Sequence, residues 1–201
     1  MHFLPPALLC ALLSFSAAAQ PSDAVIGEVL GQPVRASQLP ANPRDRAYAL
    51  RDLVVMPAVQ QYLHAHRAET ALTPAEAQKL AKAFNASMAC QGGAMPQPNP
   101  AMTDMFVQMM GGNTKAQRHI YQRFGQGRVL FQQGGMEAFD ATYRLIQTLE
   151  QDGKFKFANP ADRTQALAYW TTDKHGPYLM RDPGMDQAFL LEDLVEECPA
   201  S

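Results

Sequence analysis

The sequence predicts a mainly α-helical chain with a small β-sheet, an α+β fold. Three observations predict it. Apolar residues recur at helical spacing over residues 44–66, 74–90 and 136–151. Short β-prone runs (VIGEVL, VLF, FKF) sit between turn residues and are too brief for a large sheet. Hydrophobic residues make up 47% of the 201-residue chain and charged residues 18%, enough apolar material for a packed core. The formal net charge of -2 argues against a nucleic-acid binder, which needs a basic face.

Residues 3–19, FLPPALLCALLSFSAAA, form an apolar run that ends in Ala17-Ala18-Ala19. The run is shorter than the ~20 residues that span a bilayer, and its small-residue end suits signal-peptidase cleavage. Residues 1–19 are therefore expected to be a signal peptide, and the mature chain to be periplasmic, with no membrane insertion after cleavage. Cleavage leaves Cys90 and Cys198. In an oxidising compartment they can pair or remain thiols. A bridge closing a loop of this size would contribute about 4–5 kcal/mol in the chain-entropy model.

Each element has a local signature. Val25–Leu30 followed by Gly31-Gln32-Pro33 and Val34-Arg35 predicts a hairpin or bent strand, which needs a further partner to be stable. From Arg44 to His66 the stripe of Ala47, Leu50, Val54, Ala58 and Tyr62 predicts one long helix. Pro57 interrupts it and predicts a kink, or two helices meeting near Val55-Met56-Pro57. Thr73-Pro74-Ala75-Glu76 is a capping box with proline at the first helical position, and Gly92-Gly93 ends the helix that follows.

Residues 91–113 change character. Pro96, Pro98 and Pro100 together with Gly111-Gly112 predict a Met/Pro/Gly-rich loop holding one helical turn from Thr103 to Met110. Thr114 is placed as the cap of a helix to Phe124, Val129–Phe131 as a short strand, Met136–Gln151 as a helix, and Phe155–Phe157 as a half-buried strand. Asn159-Pro160 opens a last helix to about Trp170, and His175–Tyr178 reads as a turn. The acids of residues 182–197 read as a solvated terminal helix or tail, or as an acidic contact surface.

The chemistry-bearing residues point in few directions. His64 and His66 lie two apart, so on a helix they face different sides and cannot easily share a metal. His119 and His175 stand in no ligand-spaced set, so no metal site is assigned. Met102, Met105, Phe106, Met109 and Met110 crowd one stretch. Such a cluster serves as a pliable apolar surface for unlike partners, as Cu(I)-binding thioethers, or as core filler. No nucleophile elbow, P-loop, HExxH or CxxC motif is present, and the acid pair Glu137/Asp140 reads as helix-face polarity, so no catalytic residue and no cofactor is assigned.

Residues 24–90 resemble the N-terminal region of the SurA/parvulin-related periplasmic chaperones, on three pieces covering about a third of the chain. The strand with its glycine turn, VIGEVLGQPVRASQL, matches at Gly31, Ser37 and Leu39; the long helix, LRDLVVMPAVQQYL, at Leu50, Leu53 and Leu63; and the next helix start, TPAEA, at Thr73 and Glu76. No Asn precedes Gly31, and Pro40 and Pro57 depart from the family pattern. Residues from Tyr121 through GRVLFQQGGMEAFDA resemble the tail of exported proteins with the same N-terminal module.

The resemblance implies a SurA N-terminal-like helical chaperone fold in residues 20–90, with residues 114–201 forming a helical region that packs back on it. It also implies that Val129–Phe131 pairs with Val25–Gly27. The family's parvulin isomerase domain cannot fit in residues 91–113, because a free-standing domain below ~40 residues needs staples. The implied function is a non-catalytic, chaperone-like binder of unfolded or extended exported polypeptides, using Met102, Met105, Phe106, Met109 and Met110. A divergent peptidyl-prolyl isomerase and a periplasmic copper-binding protein using the Met-rich stretch stay open as alternatives.

Overall fold

The structure is a computed structural model that describes residues 23–90, 99–132, 135–181, 189–191 and 194–195. It is mostly helical, with two small antiparallel three-stranded sheets, so the α+β class holds. The expected signal peptide lies outside the described residues, as do Cys198 and most of the acidic segment 182–197.

The first sheet has the order β2-β1-β5, with β1 at Val25–Val29, β2 at Gln32–Arg35 and β5 at Phe155–Phe157. Leu30 and Gly31 close the hairpin with φ of 53° and 78°, the left-handed pair that matches the strand twist. The partner that the hairpin needs is β5, in the register Gly27↔Phe157, Glu28↔Lys156, Val29↔Phe155. This overturns the expected pairing of Val129–Phe131 with Val25–Gly27. Val129–Gln132 (β3) instead pairs with Gly135–Glu137 (β4) and Leu179–Met180 (β6), in a separate sheet of order β4-β3-β6. The physical reason is local: a two-residue connection makes β4 the immediate neighbour of β3. Gly27 leaves room for β5, since a Cβ there would stand 2.9 Å from the Lys156 carbonyl oxygen.

The long N-terminal helix runs from α1 (Pro43–Leu50) through a π-helical turn (Arg51–Val55) into α2 (Met56–Ala65). The junction expected near Val55-Met56-Pro57 is where the π-helical turn ends and α2 begins. The Met56 N–H reaches back five residues to the Arg51 carbonyl, and proline occupies the first turn of α2, where its missing N–H costs little. The wide turn has a second effect. Leu50, Val54, Val55, Ala58 and Val59, each at most 3% exposed, fall on a single buried stripe. Burying each large side chain contributes about 1.5–3 kcal/mol. Asn42 caps α1 by accepting from the Arg44 N–H at 3.1 Å.

A short helix α3 (Arg67–Thr70) leads to α4 (Pro74–Cys90), which opens on the expected capping box. The Thr73 N–H donates to Glu76 Oε2 at 2.7 Å and the Glu76 N–H to Thr73 Oγ1 at 3.2 Å.

The expected loop at 91–113 is helical over its described part. Helix α5 (Pro100–Phe106), capped by Asn99, continues through a second π-helical turn (Val107–Gly111) into α6 (Gly112–Phe124). Gly111 and Gly112 do not break the helix. A Cβ on Gly111 would sit 2.6 Å from Leu80 Cδ2 and 2.9 Å from Leu72 Cδ1, so this glycine permits close approach to α4. Thr114, expected as a cap, is instead a buried residue within α6.

The C-terminal half packs on the N-terminal half. Helix α7 (Phe139–Gln151) contacts α2 and α6, and α8 (Pro160–Thr171) lies along α1. Met136 and Glu137, expected within the helix that follows, belong to β4. Asn159 caps α8 through the Asp162 N–H at 2.8 Å, as the Asn-Pro pair predicts. One core joins both halves, from Ile26 and Val34 through Ile120 and Val129 to Leu145, Phe155, Trp170 and Phe189.

Candidate functional site

Helix α5 owes its place to α4. Its first turn is held by Asn99, whose Oδ1 accepts from the Met102 N–H at 2.9 Å, and Thr103 Oγ1 donates to Asn85 Oδ1 at 2.7 Å. Phe106 stacks on Phe84 of α4 with centroids 4.2 Å apart and planes 14° from parallel. These contacts fix which side of the helix faces away. Met105 and Met109 are 57% and 60% exposed, four residues apart, among the most exposed large apolar side chains of the described residues. Met102 and Met110 are half-buried. The Met110 Cε lies 3.7 Å from the Cβ position of Gly135, so Met110 covers β4. The five residues singled out from sequence are thus divided. Met105 and Met109 form an exposed thioether pair, Phe106 anchors them, and Met102 and Met110 flank them.

Cys90 is the last residue of α4. Its proposed partner Cys198 lies outside the described residues.

His66 and His119 come together, which their sequence positions did not announce. Tyr62 Oη and His119 Nε2 are 2.9 Å apart, His66 Nδ1 is 2.8 Å from the Tyr62 carbonyl oxygen, and the two imidazole centroids are 5.4 Å apart. Burial lowers the His119 pKa, with His66 and Arg123 acting in the same direction and Glu69 opposing. His64 points elsewhere and is exposed. Among the described residues no group of three or more His, Cys, Asp or Glu is arranged to hold a metal ion.

The acid pair is structural. Glu137 accepts from Tyr169 Oη at 2.6 Å, Trp170 Nε1 at 2.8 Å and Gln132 Nε2 at 2.5 Å. Burial, and then the Glu137 charge beside it, pushes the Tyr169 hydroxyl pKa up. Burial also pushes Asp140 up, but hydrogen bonds from the Arg128 side chain and backbone N–H outweigh it and leave Asp140 lowered. Both carboxylates are committed to donors that hold the second sheet against α7 and α8, so neither is placed as a free general base.

Sequence reading missed a groove between α1 and α8. Its cavity measures about 260 Å³ and is lined from α1 and the first π-helical turn by Arg44, Tyr48 and Arg51, and from the far side by Gln165, Tyr169 and His175. The spacings Arg44-Tyr48-Arg51 and Gln165-Tyr169 each put residues on one helix face. A reading of the polar side of α1 would have found half of it; the other half arrives only with the fold.

No family model, no curated protein and no solved structure matches this chain. Among the described residues no helix is long and apolar enough to cross a membrane.

Proposed function

We propose that this chain is an exported, periplasmic, non-catalytic binder of unfolded polypeptides, with a chaperone-like role. The single observation that carries the reading is the exposed Met105/Met109 pair on a helix braced by the Phe84–Phe106 stack. Methionine is flexible and polarizable, so a methionine face adapts to apolar segments of different shape at low cost. Bracing keeps the backbone fixed while the thioether side chains move. The resemblance of residues 24–90 to the SurA/parvulin-related chaperones agrees in kind, since that part of the family binds clients without isomerase chemistry.

The test is suppression of aggregation of an unfolded outer-membrane protein diluted from urea. A stoichiometric amount of this protein keeps the client soluble, and the Met105→Asp/Met109→Asp double variant does not. No suppression by the wild type at stoichiometric excess refutes the proposal. The same thioether pair also fits the copper reading, and Met105→Leu/Met109→Leu separates the two. Leucine preserves apolar client binding and removes the soft sulfur ligands, so loss of client binding with retained Cu(I) affinity contradicts both readings.

A further inference from the structure

We infer that the α1/α8 groove is a binding site for a small aromatic carboxylate, a site independent of the methionine face. The groove's lining holds two arginines, Arg44 and Arg51, and the imidazole of His175, but no Asp or Glu. Its walls are aromatic. The Arg51 guanidinium lies 5.2 Å from the Tyr48 ring centroid and 5.4 Å from that of Tyr169, so it is held between two phenol rings. That packing presents a planar, pre-positioned donor fork, the group best matched to a carboxylate.

Arg51 is not neutralised in place. Its Nε donates to Asp52 Oδ1 at 3.0 Å, but Asp52 is 57% exposed and adjacent in sequence, an arrangement that contributes little. Among the described residues no hydrogen bond reaches either Nη of Arg51 or the side chain of Arg44. The neighbouring Arg46 differs, because it is paired with the buried Asp162 at 2.9 Å and ties α1 to α8. Gln165 Nε2 donates to the Pro43 carbonyl at 3.4 Å across the same two helices. His175 is positioned by its Nε2, 2.8 Å from the Tyr169 carbonyl oxygen, and by edge contacts to Tyr169 and Phe139.

The groove therefore combines aromatic walls with guanidinium N–H groups, the Nη atoms of Arg51 and the Arg44 side chain, that no hydrogen bond among the described residues takes up. Charge complementarity selects an anion, and the walls select a ring. The volume of about 260 Å³ is below the range of roughly 300–1,000 Å³ that holds drug-sized ligands, which fits a single ring with a short carboxylate arm.

Trp170, the chain's one tryptophan, reports on the site, since its ring lies 5.0 Å from that of Tyr169. The experiment titrates the full chain with 4-hydroxyphenylacetate, its neutral amide, and acetate, following tryptophan fluorescence and confirming by calorimetry. The inference expects saturable binding of the aryl acid, at least tenfold weaker binding of the amide, and no binding of acetate over the same range. Arg51→Gln and Arg44→Gln each weaken the acid by at least fivefold and leave the amide unchanged. Because Arg44 is exposed, its replacement does not threaten folding, and the acid-against-amide comparison needs no variant at all. Equal affinity for acid and amide, binding of acetate as tight as that of the aryl acid, or undiminished binding in both arginine variants overturns it. None of these outcomes depends on whether the methionine face binds polypeptides.

Discussion

Replacing Gly111 and Gly112 by alanine, one at a time, separates helix propensity from packing at two adjacent positions. Both residues have right-handed helical dihedrals, φ -66° and ψ -44° at Gly111 and φ -62° and ψ -44° at Gly112. Alanine therefore gains about 0.5–1 kcal/mol over glycine at either one. At Gly112 a Cβ meets nothing within 4 Å, so Gly112→Ala stabilises by that amount. At Gly111 the Cβ falls 2.6 Å from Leu80 Cδ2, and Leu80 is only 3% exposed, so it has little room to yield. Overpacking of this kind costs about 1–3 kcal/mol. The net effect of Gly111→Ala lies between neutral and about 2.5 kcal/mol destabilising. The propensity gain cancels between the two variants, so their difference, about 1–3 kcal/mol, reads the packing cost alone. Urea unfolding with a shared m-value measures it. Adding Leu80→Val, which removes the clashing methyl position, recovers part of the loss in the Gly111→Ala background and only costs stability in the Gly112→Ala background. Equal stabilities for the two alanine variants would refute the claim that Gly111 is there for contact with α4.

Two further predictions concern folding. Leu30 is the one non-glycine residue with positive φ among the described residues, at 53°, and it is 37% exposed. Leu30→Asn relieves the left-handed strain at small loss of burial and raises stability by about 0.5–1 kcal/mol in thermal unfolding; a loss would place Leu30 in a packing role instead. Glu76 has its pKa lowered from 4.5 to about 2, first by the hydrogen bond from Lys115 Nζ at 2.6 Å and then by the Thr73 N–H. The stability it contributes is present above pH 4.5 and is lost as pH falls from there towards about 2. Lys115→Met thus lowers Tm at pH 7 and converges with wild type near pH 2; since Glu76 is about a third exposed, the difference is only about 0.5–1 kcal/mol. A Tm difference that is constant across this range would contradict the assignment.

Much of the fold was legible where a signal is local. The Thr73–Glu76 capping box, the Asn159-Pro160 start and the long apolar stripe from Ala47 to Tyr62 each specify their helix through neighbours in sequence, and each helix formed. The misreadings arose where a residue's role is set by something distant. Gly111-Gly112 reads as a breaker until Leu80 of α4 and Leu72 just ahead of it are seen against Gly111. Pro57 marks the start of α2, but the π-turn ahead of it, which the buried stripe around Val54 and Val55 rewards, has no local signal. Met136-Glu137 reads as helix because apolar spacing continues into α7, while the Gly-bounded connection to β3 makes them a strand. Phe155–Phe157 was visible as a strand, but its partner was not, because pairing with β1 depends on the small Gly27 and on the packing of α7. For the site, the cluster of methionines was legible in composition. Their division into outward Met105 and Met109 and inward Met110 required the Phe84–Phe106 stack. The α1/α8 groove left no continuous signal, since its two walls come from opposite ends of the chain.

The role proposed for the Met105/Met109 face is to bind apolar segments of unfolded chains. Its most direct test is the affinity of a fluorescently labelled, extended apolar peptide from an outer-membrane protein, followed by anisotropy against the wild type and Met105→Asp/Met109→Asp. Both side chains are mostly exposed, so the variant keeps its fold and its Tm within a few degrees. Saturable binding to the wild type and at least a tenfold rise in Kd for the folded variant are expected from that role. An unchanged Kd in the variant, or no binding to the wild type, would contradict it.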